Sequence, residues 1–292
     1  MRRDYDEDDF DAVGFLEELP EHNRGIQQSS DTLRSGYSWV QHFLREHPGY
    51  EFVEYSPLPD AVEVPDLSEA RVALITMAGV YTEDQKAFSI LPGEVEPEYL
   101  VQGFREMGDS SLREISNSLE PSSLRIAYPY IDMSGAEEDI NTIFPITRLQ
   151  ALEEESFVES ISDVHLSFMG YLPRPLEVDA SIESAINLLS ENDVNLVLLT
   201  PADILSHQTM ALLQRRVEAA GIATISVALC RDVVENIGVP RAVHYRFPFG
   251  YTFGGANDEA MQLRILKETL RSGQEIDQAG MIVDLPYEWM EL

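Results

Sequence analysis

The chain has 292 residues, 44% of them hydrophobic, and its 52 acidic residues face 20 basic ones for a formal net charge of −32. A field of that sign repels nucleic acid and anionic lipid, so no nucleic acid and no membrane is expected as a partner. No run of about 18 apolar residues offers a membrane span, while the apolar fraction suffices for a buried core.

Just two of the basic residues, Lys86 and Lys267, are lysines. Acidity with arginine kept and lysine nearly lost fits a halophile's salt-rich interior better than an acidic docking surface, because salt screens carboxylate repulsion. The single cysteine, Cys230, cannot form an internal disulfide, and no apolar stretch follows Arg2 and Arg3. A soluble, cytoplasmic protein is expected.

Residues 1–30 are acidic and polar, and a loosely ordered arm is expected there. A helix is predicted over 31–46, capped by Asp31, with Leu33, Tyr37, Val40, Phe43 and Leu44 on one face and His47, Pro48 and Gly49 as its stop. After a proline-punctuated stretch, residues 71–80 read as a continuous apolar strand, the pattern of a parallel strand covered on both faces. A mostly irregular stretch to about 122 follows, and connections of that length are often functional. A strand at 123–131, a tight connection at 139–145 and a helix at 147–155 complete an expected N-terminal lobe, 31–160. In the expected C-terminal lobe, 161–292, strands at 165–169, 194–200, 222–228 and 241–247 alternate with helices. Those helices are predicted at 181–191, 206–220, up to 237, and 258–271, where Met261, Ile265, Leu266 and Thr269 align. The alternation predicts an α/β fold: a doubly wound, mostly parallel sheet with helices on both faces, in two lobes.

Ligands of open parallel sheets sit beyond the carboxyl ends of the strands. Those ends carry 77–85, 200–209 and 246–255, and the long loop adds 108–115. Asp203 and His207, four residues apart at a helix start, read either as a hydrogen-bonded dyad or, with Ser206 and Thr209, as a capping cluster. Asp109 and Arg113 form an expected ion pair ordering the long loop. Arg241 fits pairing with an acidic side chain, whereas Arg246, beside Gly250, Gly254 and Gly255, fits an anion clamp for a carboxylate. Cys230 reads as a small buried hydrophobe. No dinucleotide or phosphate-loop fingerprint and no Cys/His cluster occurs, so no cofactor and no metal is expected.

Several segments together resemble the B-component family of the glycine, sarcosine, betaine and D-proline reductases. They are 71–79, 108–115, 139–145 leading into Arg148 and Leu149, 167–171, His207 to Thr209 through Gly221 and Ile222, and Pro240 and Arg241 with 246–250. The resemblance runs from about residue 70 to the C-terminus. It implies reductive chemistry in which a selenol or thiol attacks near the substrate's α-carbon, displaces nitrogen and passes the product to partner subunits. It also implies a cysteine-rich turn before a histidine matching His207, but Asp203 and Ser206 stand where cysteine or selenocysteine is expected. Serine has no two-electron redox chemistry. A second departure is Tyr128, Tyr130 and Asp132, where the resemblance leads to a His-x-His pair followed by aspartate; two phenols cannot stand in for two imidazoles.

The expected pocket therefore lies at the rim. Asp203, His207 and Asp109 are the candidate catalytic groups. Arg113, Arg246, Thr200, Ser206, Gln208, Tyr128, Tyr130 and Asp132 are the candidate contacts to a small carboxylate or amine substrate, and a thiol-bearing protein is the expected partner for any redox step. The alternative is a non-catalytic ligand-binding or scaffolding subunit that has lost its redox centre.

Overall fold

The computed structural model describes residues 36–46, 50–53, 61–89, 108–172 and 174–289. The expected acidic arm, the Asp31 cap and the stop at 47–49 lie outside the described residues. Helix α1 (Gly36–Glu46) buries Val40 and Phe43, two positions of its predicted face.

Among the described residues ten strands follow: β1 (Arg71–Thr76), β2 (Val80–Thr82), β3 (Leu112–Ser116), β4 (Leu124–Ile126), β5 (Ser160–Ile161), β6 (Val164–Phe168), β7 (Leu196–Thr200), β8 (Ala223–Ala228), β9 (Arg241–Arg246) and β10 (Met281–Glu288). Eight of them form one sheet in the order β10-β9-β8-β7-β1-β6-β3, with β5 paired to the start of β1. Strands from both sides of residue 160 thus share that sheet. All its pairs are parallel except β3 on β6, and β2 and β4 make a separate antiparallel ribbon. Every residue of β7 and β8 is buried, as a continuous apolar run requires of strands covered on both faces.

The helices between them are α2 (Ser134–Glu138), α3 (Ile146–Glu154), α4 (Asp179–Glu191), α5 (Ser206–Ala219), α6 (Arg231–Ile237) and α7 (Glu259–Glu275), the last capped by Asp258 through the Met261 amide. Thr224 of β8 bonds Gln214 and Glu218 of α5, while the ideal Cβ position of Gly273 in α7 falls 3.4 Å from Ile225. Neighbouring strand residues point to opposite faces, so α5 and α7 cover opposite sides of the sheet.

Some elements differ from those predicted. The strand expected at 123–131 ends at Ile126: the Ala127 amide still bonds the carbonyl of Gly79, and the chain then turns at Pro129 and Tyr130. Within the stretch expected to be irregular, β3 pairs along β6. At the other edge β10 buries Ile282, otherwise alternates between half-buried and exposed residues, and carries Pro286, which an edge strand tolerates because it has no outer partner to bond.

At the amino end of the sheet, Arg241 is buried 3.8 Å from the buried Glu218. Glu218 also accepts from the amides of Val62 and Thr224, and the Arg241 guanidinium donates to the Val62 carbonyl. The arginine pairs with an acidic side chain, at the opposite end of the strands from the candidate site.

Candidate functional site

From β1 the chain passes to β6, returns across β1 to β7, and then continues outward through β8, β9 and β10. Such a reversal opens a crevice beyond the carboxyl ends of the two strands at the switch, here β1 and β7. The rim is laced by backbone bonds from Met77 to Thr200, from Gly170 to Met77 and from Gly79 to Phe168. Two glycines permit this. A Cβ at Gly170 would stand 2.5 Å from the Cβ of Ser206 and 2.7 Å from that of Met77. Gly79 has φ +63, and its Cβ would meet the Ala127 carbonyl at 2.6 Å.

Asp203 sits in the turn between β7 and α5. Its carboxylate accepts from the Ser206 amide at 2.7 Å. Ser206 is fully engaged: its hydroxyl accepts from the amides of Ala202 and Asp203 and donates to the Asp203 carbonyl, each at 2.8 Å. His207 is locked as well. One ring nitrogen, Nδ1, lies 2.6 Å from the Asp203 carbonyl, which can only accept, so Nδ1 carries the proton. The other, Nε2, faces the amides of Leu229 and Cys230 at 3.0 and 3.3 Å and must be bare. The imidazole is neutral, and burial pushes its pKa down to about 4. It bonds the carbonyl of Asp203 and not the carboxylate, so the geometry is that of a latch between the β7 exit and the end of β8.

Around the carboxyl stand four tyrosines. Tyr128 and Tyr130 meet edge to face at 5.4 Å, Tyr130 stacks on Tyr171 at 3.7 Å, and Tyr171 meets Tyr50 edge to face at 5.6 Å. Asp203 is 5% exposed, and Tyr128, Tyr130 and Tyr171 are 4%, 0% and 1% exposed. The Tyr128 hydroxyl faces the carboxylate near enough to favour its charged form but stands outside hydrogen-bond geometry. Burial nonetheless dominates and pushes the Asp203 carboxyl up to about 6, against the Ser206 amide, the Tyr128 hydroxyl and the Ser206 hydroxyl. The tyrosines are all raised, burial being the first cause for each. Among the described residues no arginine or lysine forms an ion pair with Asp203, and none is among the main causes of its shift.

The remaining candidates stand around this cluster without joining it. Thr200 donates to the Ile143 carbonyl at 3.0 Å. Gln208 faces the segment 50–53, donating to the Glu51 carbonyl and accepting from the Val53 amide. Asp132 is half-buried, accepts from the Ser134 amide, and its carbonyl lies 2.5 Å from where a Cβ on Gly250 would stand. Asp109 and Arg113 form the expected ion pair, 3.4 Å long, beside β3. Arg113 also covers the ring of Phe88 at 4.2 Å and donates to the carbonyls of Lys86 and Ala87. That pair lies three strand spacings from β7, roughly 14 Å away. Arg246 is exposed at the end of β9, two spacings or roughly 10 Å the other way. Cys230 is buried, and burial pushes its thiol well up. Among the described residues, no group of three or more His, Cys, Asp or Glu is placed to hold a metal ion, and no helix is long and apolar enough to cross a membrane.

Tyr50 and Tyr171 were not among the candidates. Tyr171 closes the segment 167–171 and could have been weighed there. Tyr50 carries no signal in the sequence, because only its packing against Tyr171 brings it to the rim.

No protein-family model matches the chain, and no solved structure does. It is 31% identical over 227 residues to the D-proline reductase subunit gamma of Acetoanaerobium sticklandii, a match covering 77% of this chain and 87% of that one. It is 23% identical to the betaine reductase complex component B subunit beta of Peptoclostridium acidaminophilum, over 80% of this chain and 52% of that one. It is 22% identical to the glycine reductase complex component B subunit gamma of Symbiobacterium thermophilum, over 75% of this chain and 50% of that one. The chain thus spans most of the first relative and about half the length of the other two. At that level of identity over most of both chains, it belongs to the B-component family of the D-proline, betaine and glycine reductases.

Proposed function

We propose that this protein binds a small ammonium-bearing molecule at the β1–β7 switch point, with Asp203 as counter-ion and the tyrosines as walls. The observation that carries the proposal is the Asp203 carboxyl, sealed at the end of a central strand without a described protein cation beside it. A buried carboxylate in that position is costly, and a bound cation would relieve it. Tyrosine rings attract ammonium groups within about 6 Å of their centroids. An amine suits this end of the ligand better than a carboxylate, which would meet the charge of Asp203. The relatives are named for D-proline, betaine and glycine, each a small carboxylate with a cationic nitrogen.

The role proposed is that of a ligand-binding or scaffolding subunit whose own side chains carry out no sulfur redox step. Asp203 and Ser206 occupy the turn where the family resemblance implies selenium or sulfur, and Cys230 is buried as a packing residue. Any reductive step would draw its thiol from another protein. A catalytic alternative rests on Asp203 alone: a carboxyl near 6 can exchange protons at neutral pH. Excess acidity is attributed to a salt-rich cytoplasm, for which a melting temperature rising from 0.1 to 1 M KCl is the check.

The test is calorimetric titration and thermal shift with glycine betaine, D-proline and glycine at pH 7.5, alongside an amine-release assay with dithiol. Binding of at least one ligand, its loss in Asp203→Asn, and no released amine are expected. The proposal fails if none of the three binds, or if Asp203→Asn binds as well as the parent. Amine release by the chain alone would overturn its non-redox part.

A further inference from the structure

The Asp203 carboxyl is closed off on every side described, so a binding site there, the proposal on which this inference rests, needs a wall that moves. Three walls stand in loops tied to the rim by backbone bonds. Tyr171 follows directly on Gly170, whose amide bonds Met77, and Tyr128 and Tyr130 follow Ala127, whose amide bonds Gly79. Moving Tyr128 or Tyr171 would strain those backbone bonds and leave buried groups unpaired, and Tyr130 is stacked on Tyr171.

Tyr50 is different. It reaches the site from the segment 50–53, which, like the loops of the other three, lies outside any strand or helix but is held by a side chain. Its ring lies between Phe43 of α1, at 4.8 Å, and Tyr171. The segment crosses the start of α5, where the Gln208 amide grips it twice: Nε2 donates to the Glu51 carbonyl at 3.0 Å, and Oε1 accepts from the Val53 amide at 2.6 Å. One side chain thus does what a neighbouring strand would do. Glu51 is exposed and Phe52 and Val53 are half-buried, so water can replace both bonds when the segment lifts. Lifting it would also withdraw the Tyr50 ring from Tyr171.

We infer that residues 50–53 are a gate over the Asp203 site, with Tyr50 as the moving wall and Gln208 as the latch. Ligand enters by release of the two Gln208 bonds, and the three rim tyrosines stay in place.

The test needs no natural ligand. In a Cys230→Ala background, Asp203→Cys places the sole thiol behind the gate, and its alkylation by iodoacetamide is followed by intact mass with and without Gln208→Ala. Should Asp203→Cys fail to fold, Ser206→Cys places the thiol three residues on. Releasing the latch is expected to raise the alkylation rate at least tenfold while the amides of β8 exchange with deuterium at unchanged rates. An unchanged alkylation rate overturns the gate, and so does β8 exchange that accelerates in parallel, since that marks general loosening. Stopped-flow binding of glycine betaine separates the two proposals. Faster alkylation with no betaine binding leaves the gate standing and removes the ammonium site. Betaine binding whose on-rate ignores Gln208→Ala does the reverse.

Discussion

Replacing Asp203 with Asn tests the electrostatics of the candidate site through stability alone. Burial holds the folded-state carboxyl at about 6, against an ordinary 3.8. Between those two values the folded chain binds more protons than the unfolded one, so stability falls as the pH rises through that window. Well below pH 4 both states hold the proton and nothing is lost. Above pH 6 the whole penalty is present, roughly 3 kcal/mol. Asparagine is nearly isosteric, carries no charge and keeps an oxygen to accept from the Ser206 amide. Asp203→Asn is therefore expected to stabilise the protein by roughly 2–3 kcal/mol at pH 8 and by less than about 1 kcal/mol at pH 4. The assay is urea unfolding followed by circular dichroism at both pH values in the same concentrated KCl, comparing midpoints and slopes with the parent. Destabilisation at pH 8, or a gain of equal size at both pH values, would refute the buried, uncompensated environment assigned to Asp203. A carboxylate whose removal stabilises the fold is one retained for something other than folding.

His207→Ala leaves the Leu229 and Cys230 amides and the Asp203 carbonyl short of a partner, so a loss of about 3–5 kcal/mol is expected in urea unfolding. In the parent, nitrogen NMR is expected to show the His207 ring neutral and protonated at Nδ1 from pH 5 to 8; a transition near 6.5 would count against the latch. Gly170→Ala drives a methyl into Ser206 and Met77 and is expected to cost about 1–3 kcal/mol, read as a lowered urea midpoint. Burial pushes Glu218 up and Arg241 down, so each ion is penalised beyond what its partner returns. Arg241→Met alone is expected to lose about 3–5 kcal/mol, and adding Glu218→Leu to recover at least half of it; a double variant no better than the single one would disprove this.

Much of the sheet was legible along the chain because parallel strands buried on both faces must be continuously apolar. Residues 72–75 and 196–199 are such runs, 223–228 departs from one only at the small Thr224 and Ser226, and α5 and α7 fall within a residue or a turn of their predicted bounds. What failed was local in another sense: β3 and β10 are edge strands, half-exposed and mixed in composition, and only pairing with β6 and β9 makes them strands. The rim itself was foreseeable from strand order and direction, and with it the neighbourhood of Asp203, Ser206 and His207.

The roles of those residues were not. A spacing of four residues permits an Asp–His dyad or a cap with equal ease. The choice was made by the amides of Leu229 and Cys230, which arrive from β8 and take the imidazole nitrogen a base would need. Composition and periodicity determined the fold class, the central strands and the edge where ligands gather, because burial imposes a pattern on consecutive residues. Tertiary structure alone decided that Tyr50 and Tyr171 enclose Asp203, that Arg113 and Arg246 stand apart from it, and that its carboxyl is displaced toward neutral pH. Desolvation and hydrogen bonding depend on groups far apart in the chain, and no spacing of neighbours encodes them.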